Sequence, residues 1–201
     1  MKGTDALLTE SKQTKRAVQK ILTALAVSFL TVTVIFFGSR SILQTLYPID
    51  YGNFVEKYTK ENNLSPWFVY SVIECESGYD KNAVSYADAR GLMQLTPETF
   101  RWLQTKRGEK LGEEMLFDPE TNIKYGCYFY GILFDIYGDE TLAVAAYHAG
   151  MGNVSKWLKD ERYSHDGKSL YDIPFESTKK YVNKVIKAKN IYSKLYNGKE
   201  D

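Results

Sequence analysis

Residues 65–79 read SPWFVYSVIECESGY. Ser65 before Pro66 is a helix opening: a hydroxyl residue suited to the N-cap, then a proline whose fixed φ and missing N–H suit the first helical position. Gly78 suits the place just past the helix end. Two carboxylates, Glu74 and Glu76, fall two residues apart near that end. Residues three, four and seven apart share a helix face, so Glu76 lies with Ile73, Val72 and Val69, all apolar, and Glu74 with Ser71, Tyr70 and Trp67, a mixed face. Two steps of about 100° separate the carboxylates by roughly 200°. Glu76 is therefore expected to face the core from the last turn. The negative pole of the helix and removal from water both favour its neutral form there. A carboxyl group still protonated near neutral pH is what protonating a glycosidic oxygen requires. A buried structural glutamate satisfied by hydrogen bonds is the competing reading of this helix alone.

Helix signals continue on both sides. Tyr51 to Glu61 carries Phe54, Val55 and Tyr58 on one stripe. Thr96-Pro97-Glu98 and Asp118-Pro119 repeat the cap-then-proline opening, the latter running to Gly138. Glu140 to Ala149 is alanine-rich, Asn153 to Lys159 forms a short helix, and Lys179 to Tyr196 sets Tyr181, Val185, Ala188, Tyr192 and Leu195 near one face. No run alternates as a strand would. The body, residues 47–196, reads as an all-α domain.

The N-terminus differs. Residues 21–38, ILTALAVSFLTVTVIFFG, carry no charge, and at 1.5 Å per residue span roughly 27 Å, close to the ~30 Å hydrocarbon thickness. Lys12, Lys15, Arg16 and Lys20 precede the run and Arg40 alone closely follows it. This charge bias puts a short basic tail, residues 1–20, in the cytoplasm, the anchor at 21–38, a linker at 39–46 and the body outside the membrane, followed by a polar tail at 197–201. A cleaved signal peptide is the alternative; the run is longer than a usual apolar signal core and no small-residue cleavage site follows it. A core helix would not be apolar on all faces. The formal net charge is +1, so no field for nucleic acid exists. The two cysteines, Cys75 and Cys127, are too few for a disulfide framework; outside the membrane they could pair with each other, and two buried free thiols are the favoured reading. With only His148 and His165 in the chain, there is no metal-ligand spacing.

The segment ESGYDKNAVSYADARGLMQLTPET, residues 76–99, resembles the lytic transglycosylases of the goose-type lysozyme superfamily, those related to the C-terminal domain of soluble lytic murein transglycosylase. The matching elements are Glu76-Ser77, Tyr79, Asn82-Ala83-Val84-Ser85, Gly91-Leu92-Met93-Gln94-Leu95 and Pro97. Three more follow in family order: NIKYGCYFYGIL from Asn122, AAYHAGMGNV from Ala145 and IPFESTKKYV from Ile173. The resemblance covers roughly residues 47–196 and implies an all-α, lysozyme-like fold there; the single transmembrane helix before it rests on residues 21–38.

It also implies an activity. Glu76 would serve first as acid and then as base, cleaving the β-1,4 bond between N-acetylmuramic acid and N-acetylglucosamine and leaving a 1,6-anhydro end, with no cofactor and no metal. The peptidoglycan glycan strand is the implied partner, the lipid bilayer meets residues 21–38, and protein partners are not indicated. Ser77, Ser85, Gly91, Gln94, Tyr147, His148, Glu176 and Tyr181 are the implied substrate-binding residues. Each also has a plain structural reading: Ser85 and Gly91 as turn residues, Gln94 at a helix start, Tyr147 in the core, while Met93 reads as core. Two positions depart from the family pattern: His148 stands where Asn is usual, and Ser177 where Glu is usual, with Glu176 one position early. A lysozyme-type hydrolase on the same fold and a non-catalytic wall-binding protein remain the alternatives, since fold does not fix function.

Overall fold

A computed structural model describes residues 2–196, with side chains from residue 19 onward apart from Ile21. The tail expected at 197–201 lies outside the described residues, as do the side chains of the basic stretch at 1–18. The chain divides at Pro48–Ile49 into two units.

The first unit is one helix, α1, Lys2–Leu46. It runs through Gly38 rather than ending there, so the stretch expected as a linker, 39–46, is helical. Glycine is more frequent in apolar membrane helices than in soluble ones. Residues 22–46 are long and apolar enough to cross a bilayer. Phe29, Ile35 and Phe36 are exposed, a state that water disfavours and hydrocarbon does not. The hydroxyls of Thr23, Thr31 and Thr33 each donate to the carbonyl four residues back at 2.8 Å, so the helix meets its own polar needs.

The second unit is helical, and among the described residues holds no strand, only isolated bridges. Its elements are α2 (Gly52–Glu61), α3 (Pro66–Glu76), α4 (Pro97–Arg107), a 3-10 turn (Glu113–Phe117), α5 (Pro119–Tyr137), α6 (Glu140–Ala149), α7 (Met151–Leu158) and α8 (Glu176–Tyr196). The openings follow the local chemistry. Thr96 and Asp118 accept from the N–H groups of Thr99 and Thr121, at 3.2 and 2.8 Å. Ser65 has no such side-chain bond, and Pro66 alone marks that start. Gly138 closes α5 in the left-handed conformation that glycine adopts without strain. The last helix begins three residues earlier than its apolar stripe predicts, and the 3-10 turn was not legible in advance.

α3 is the central helix. Its residues Phe68 through Ile73 are all buried, so the contrast between its two faces is softer than spacing alone predicts. It packs most extensively on α8, while α6 bridges α5 and α8. Phe68 meets Tyr130 and Phe134 of α5 edge-on, at 4.8 and 5.4 Å between centroids. Each fully buried large apolar side chain contributes about 1.5–3 kcal/mol. The packing brings the C-terminal end of α3 against the N-terminal half of α8. Cys75 and Cys127 are free thiols.

Candidate active site

Glu76 ends α3. Its carboxyl is pushed up to about 7, chiefly by burial, against the lowering effects of a hydrogen bond from Tyr181 and the charge of Lys184. Tyr181, from α8, donates to Glu76 Oε1 at 2.6 Å. The Tyr181 hydroxyl also lies 3.4 Å from that of Tyr130 on α5. Lys184, one turn along α8, donates to the Cys75 carbonyl at 3.2 Å, a cation at the negative end of α3. Burial raises Glu74 as well, and Lys184 opposes it. Of the two, Glu76 is the one with a tyrosine partner among the described hydrogen bonds.

His148 comes to this centre. Its ring stacks on Tyr181 at 4.6 Å, and Nδ1 lies 3.0 Å from the Thr178 hydroxyl. The ring is exposed on its other side. Partial burial lowers its pKa. The Tyr147 hydroxyl donates to the Met93 carbonyl at 2.7 Å, not to Glu76. The Tyr147 ring lies flat on Tyr130, with centroids 4.2 Å apart and planes 4° from parallel. Tyr147 therefore braces the tyrosine that braces Tyr181.

The other motif residues form the wall beside the acid, the loop between α3 and α4. Ser77 donates to the Leu92 carbonyl at 2.9 Å. The Ser85 hydroxyl accepts from the N–H groups of Ala87 and Ala89 at 3.3 and 3.1 Å. Gln94 Nε2 donates to the carbonyls of Ala83 and Gly91 at 3.1 and 2.9 Å. Gly91 has φ +74, and a Cβ there would stand 2.2 Å from the Leu116 carbonyl oxygen and 2.4 Å from Asn122 Nδ2. Protein packing by itself thus requires glycine here. Met93 is fully buried, as its core reading predicts.

Asn122 holds this loop to α5. It is buried; Oδ1 accepts from the Met93 N–H at 2.7 Å, and Nδ2 donates to the carbonyls of Arg90 and Leu116 at 2.9 and 2.7 Å. The residue stands in a motif recognised in the sequence, yet its role was missed because its partners are distant along the chain. Lys184, Tyr130 and Thr178 were missed for the same reason. Glu176 is not gathered in: it is exposed, paired with Lys180 at 3.4 Å, and on a different face of α8 from Tyr181. Ser177 is also exposed.

The arrangement offers one proton near neutral pH, at the edge of a wall whose shape is set by main-chain bonds. The family model described as "Transglycosylase SLT domain" matches residues 53–170. The putative soluble lytic murein transglycosylase of Haemophilus influenzae is 34% identical over 163 residues, covering 77% of this chain and 26% of its own. The membrane-bound lytic murein transglycosylase C of Actinobacillus pleuropneumoniae is 29% identical over 161 residues, covering 69% of this chain and 44% of its own. Among solved structures, an inactive Glu-to-Gln variant of lytic transglycosylase Slt from Pseudomonas aeruginosa superposes with a TM-score of 0.69 at 30% identity, over 77% of this chain and 26% of that one. The chain thus spans about a quarter of the length of the soluble relatives it matches.

Proposed function

The chain belongs to the transglycosylase SLT domain family, and on that premise we propose that it is a membrane-anchored lytic transglycosylase of murein. The observation that carries this reading is the carboxyl of Glu76, pushed up to about 7 by burial and oriented by Tyr181 at 2.6 Å. With Oε1 occupied by the tyrosine hydroxyl, the proton rides on Oε2. It passes to the oxygen linking C1 of N-acetylmuramic acid to N-acetylglucosamine, and the C1–O bond breaks. The substrate's own 2-acetamido group supports the positive charge developing at C1, an exception to the two-carboxylate scheme. Glu76, now a carboxylate stabilised by Tyr181 and Lys184, takes the proton from the C6 hydroxyl of the muramic acid. That oxygen bonds to C1 and closes the 1,6-anhydro ring. The carboxyl is protonated again and no water is consumed.

Ser77, Ser85, Gly91 and Gln94 serve the substrate by fixing the wall, whose outward main-chain groups meet the sugars. His148 offers Nε2 to the strand from the place where Asn is usual. Glu176 has no part beyond its pair with Lys180. Two observations support anchoring: the exposed apolar stretch of α1 and the name of the Actinobacillus relative. The bias of Lys12, Lys15, Arg16 and Lys20 orients the N-terminus to the cytoplasm. In a chain with Cys75 and Cys127 replaced by serine, a cysteine introduced near residue 3 should be labelled by membrane-impermeant maleimide only after cell lysis; labelling of intact cells refutes that orientation.

The activity is tested by mass spectrometry of muropeptides released from purified murein by the full chain in detergent. Anhydro-muropeptides, lighter than hydrolytic products by one water and absent with Glu76→Gln, are the expected result. Reducing muropeptides in their place indicate a lysozyme-type hydrolase. No products with binding retained indicate a wall-binding relative.

A further inference from the structure

A cleft of about 310 Å³ opens between the first turns of α4 and the junction of α6 and α7, lined by Glu98, Thr99, Trp102, Phe129, Gly150 and Met151. Its size matches the lower end of small-ligand pockets, around 300 Å³, which are mostly apolar walls with a few polar groups. Three of the six lining residues are large and apolar. The indole of Trp102 meets Phe129 edge-to-face at 5.8 Å, and Lys106 sits 5.0 Å over its centroid, which together fix the ring plane.

This cleft connects to the acid through packed rings. Phe129 lies 5.1 Å from Tyr147, and Tyr147 lies 4.2 Å from Tyr130. The Tyr130 hydroxyl is 3.4 Å from that of Tyr181, which bonds Glu76. A second cleft, lined by Asn63, Phe68 and Phe134, also reaches Tyr130 through Phe68, at 4.8 Å, but carries no indole.

The chemistry of the lining selects among ligands. A flat indole pairs with the C–H face of a pyranose, burying apolar area on both. At the rim, Glu98 supplies an acceptor for hydroxyl or acetamido N–H groups. Thr99 accepts from the Thr96 hydroxyl at 2.9 Å, which leaves its own hydroxyl hydrogen to donate. The charge of Glu98 disfavours a carboxylate-bearing stem peptide. We propose that this cleft is a saccharide subsite, with Trp102 the platform on which one N-acetylhexosamine ring of the glycan strand stacks. It deepens the reading of the chain as a murein-cleaving enzyme and rests on it.

The test is calorimetric binding of chitotetraose to the full chain in detergent, carried on a Glu76→Gln background. Trp102→Ala should weaken binding ten-fold or more, and Trp102→Phe should restore most of it. Met151→Arg, which fills the cleft from the opposite wall, should weaken binding to a similar degree. On murein with Glu76 intact, Trp102→Ala should raise KM while leaving kcat within about two-fold, since uniform binding is what is removed. Unchanged affinity in Trp102→Ala and Met151→Arg overturns the proposal, as does failure of chitotetraose to bind the background chain. If Trp102→Ala loses its helical circular dichroism, Trp102→Phe and Met151→Arg decide alone. Failure of the enzymatic reading is separate: no anhydro-muropeptides while Trp102-dependent binding persists removes the activity and keeps the subsite.

Discussion

The end of α3 and the loop that follows it treat polar groups in opposite ways. Ser77, Ser85 and Gln94 in the loop, and Asn122 reaching it from α5, direct their side chains to main-chain atoms, and each bond lowers the energy of the fold. At the helix end, Glu76 is held where its charged form is disfavoured. On the proposed function the motif is a division of labour: several residues to shape a wall, one to move a proton. A motif residue need not touch substrate to matter.

Four measurements break or sharpen this contrast. The largest expected effect is on turnover. Glu76→Gln should lower the rate of anhydro-muropeptide release on the order of a thousand-fold, the scale of general acid–base catalysis, whereas Glu74→Gln should change it by about two-fold or less. Equal losses would undo the assignment. Next, Asn122→Ala should cost about 3 kcal/mol in denaturant unfolding, because three main-chain groups lose a buried partner. A loss below about 1 kcal/mol would mean the loop stands without α5.

Third is a pH signature. The folded pKa of Glu76, about 7, lies above its ordinary 4.5, so its contribution is fully present below 4.5 and lost as pH rises through 7. Glu76→Gln lacks this loss. Its stability relative to wild type should climb by about 2–3 kcal/mol between those limits and stay level above them, read by unfolding at fixed pH steps. A flat difference would deny the burial cost. The smallest effect is that of Tyr181→Phe. Tyr181 favours the carboxylate, so its removal should move the upper limb of the pH–rate profile higher by about one unit, with kcat reduced about ten-fold. A shift to lower pH would contradict the donor role of the hydroxyl.

Much of the helical plan was legible because helix ends are local. Thr96-Pro97 and Asp118-Pro119 announce their caps within three residues, and Gly78 and Gly138 their stops. The direction of Glu76 followed from spacing along one helix. The partner of Glu76 did not, because Tyr181 lies 105 residues away, a separation that periodicity cannot bridge. The same holds for Asn122, whose three bonds span from 6 to 32 residues. Tyr147 was expected to bind substrate; its hydroxyl turns to the Met93 carbonyl, and Tyr130 and Tyr181 stand between it and Glu76, since a hydroxyl's direction depends on packing. The anchor was bounded at Gly38 by the uncharged run before Arg40, whereas α1 continues to Leu46.

The bonds that Asn122 makes to the 83–95 loop and the 3-10 turn bear on association thermodynamics. A surface loop of this length ordinarily gives up conformational freedom when a ligand arrives, at about 1–2 kcal/mol of entropy per residue fixed. Here that ordering is completed when the chain folds. On the proposed function, a glycan strand would meet a preorganised wall, and its own stiffening would be the main entropic cost of the encounter. Weak contacts spread over several sugars would then suffice to hold a polymer that must also be released after each cut.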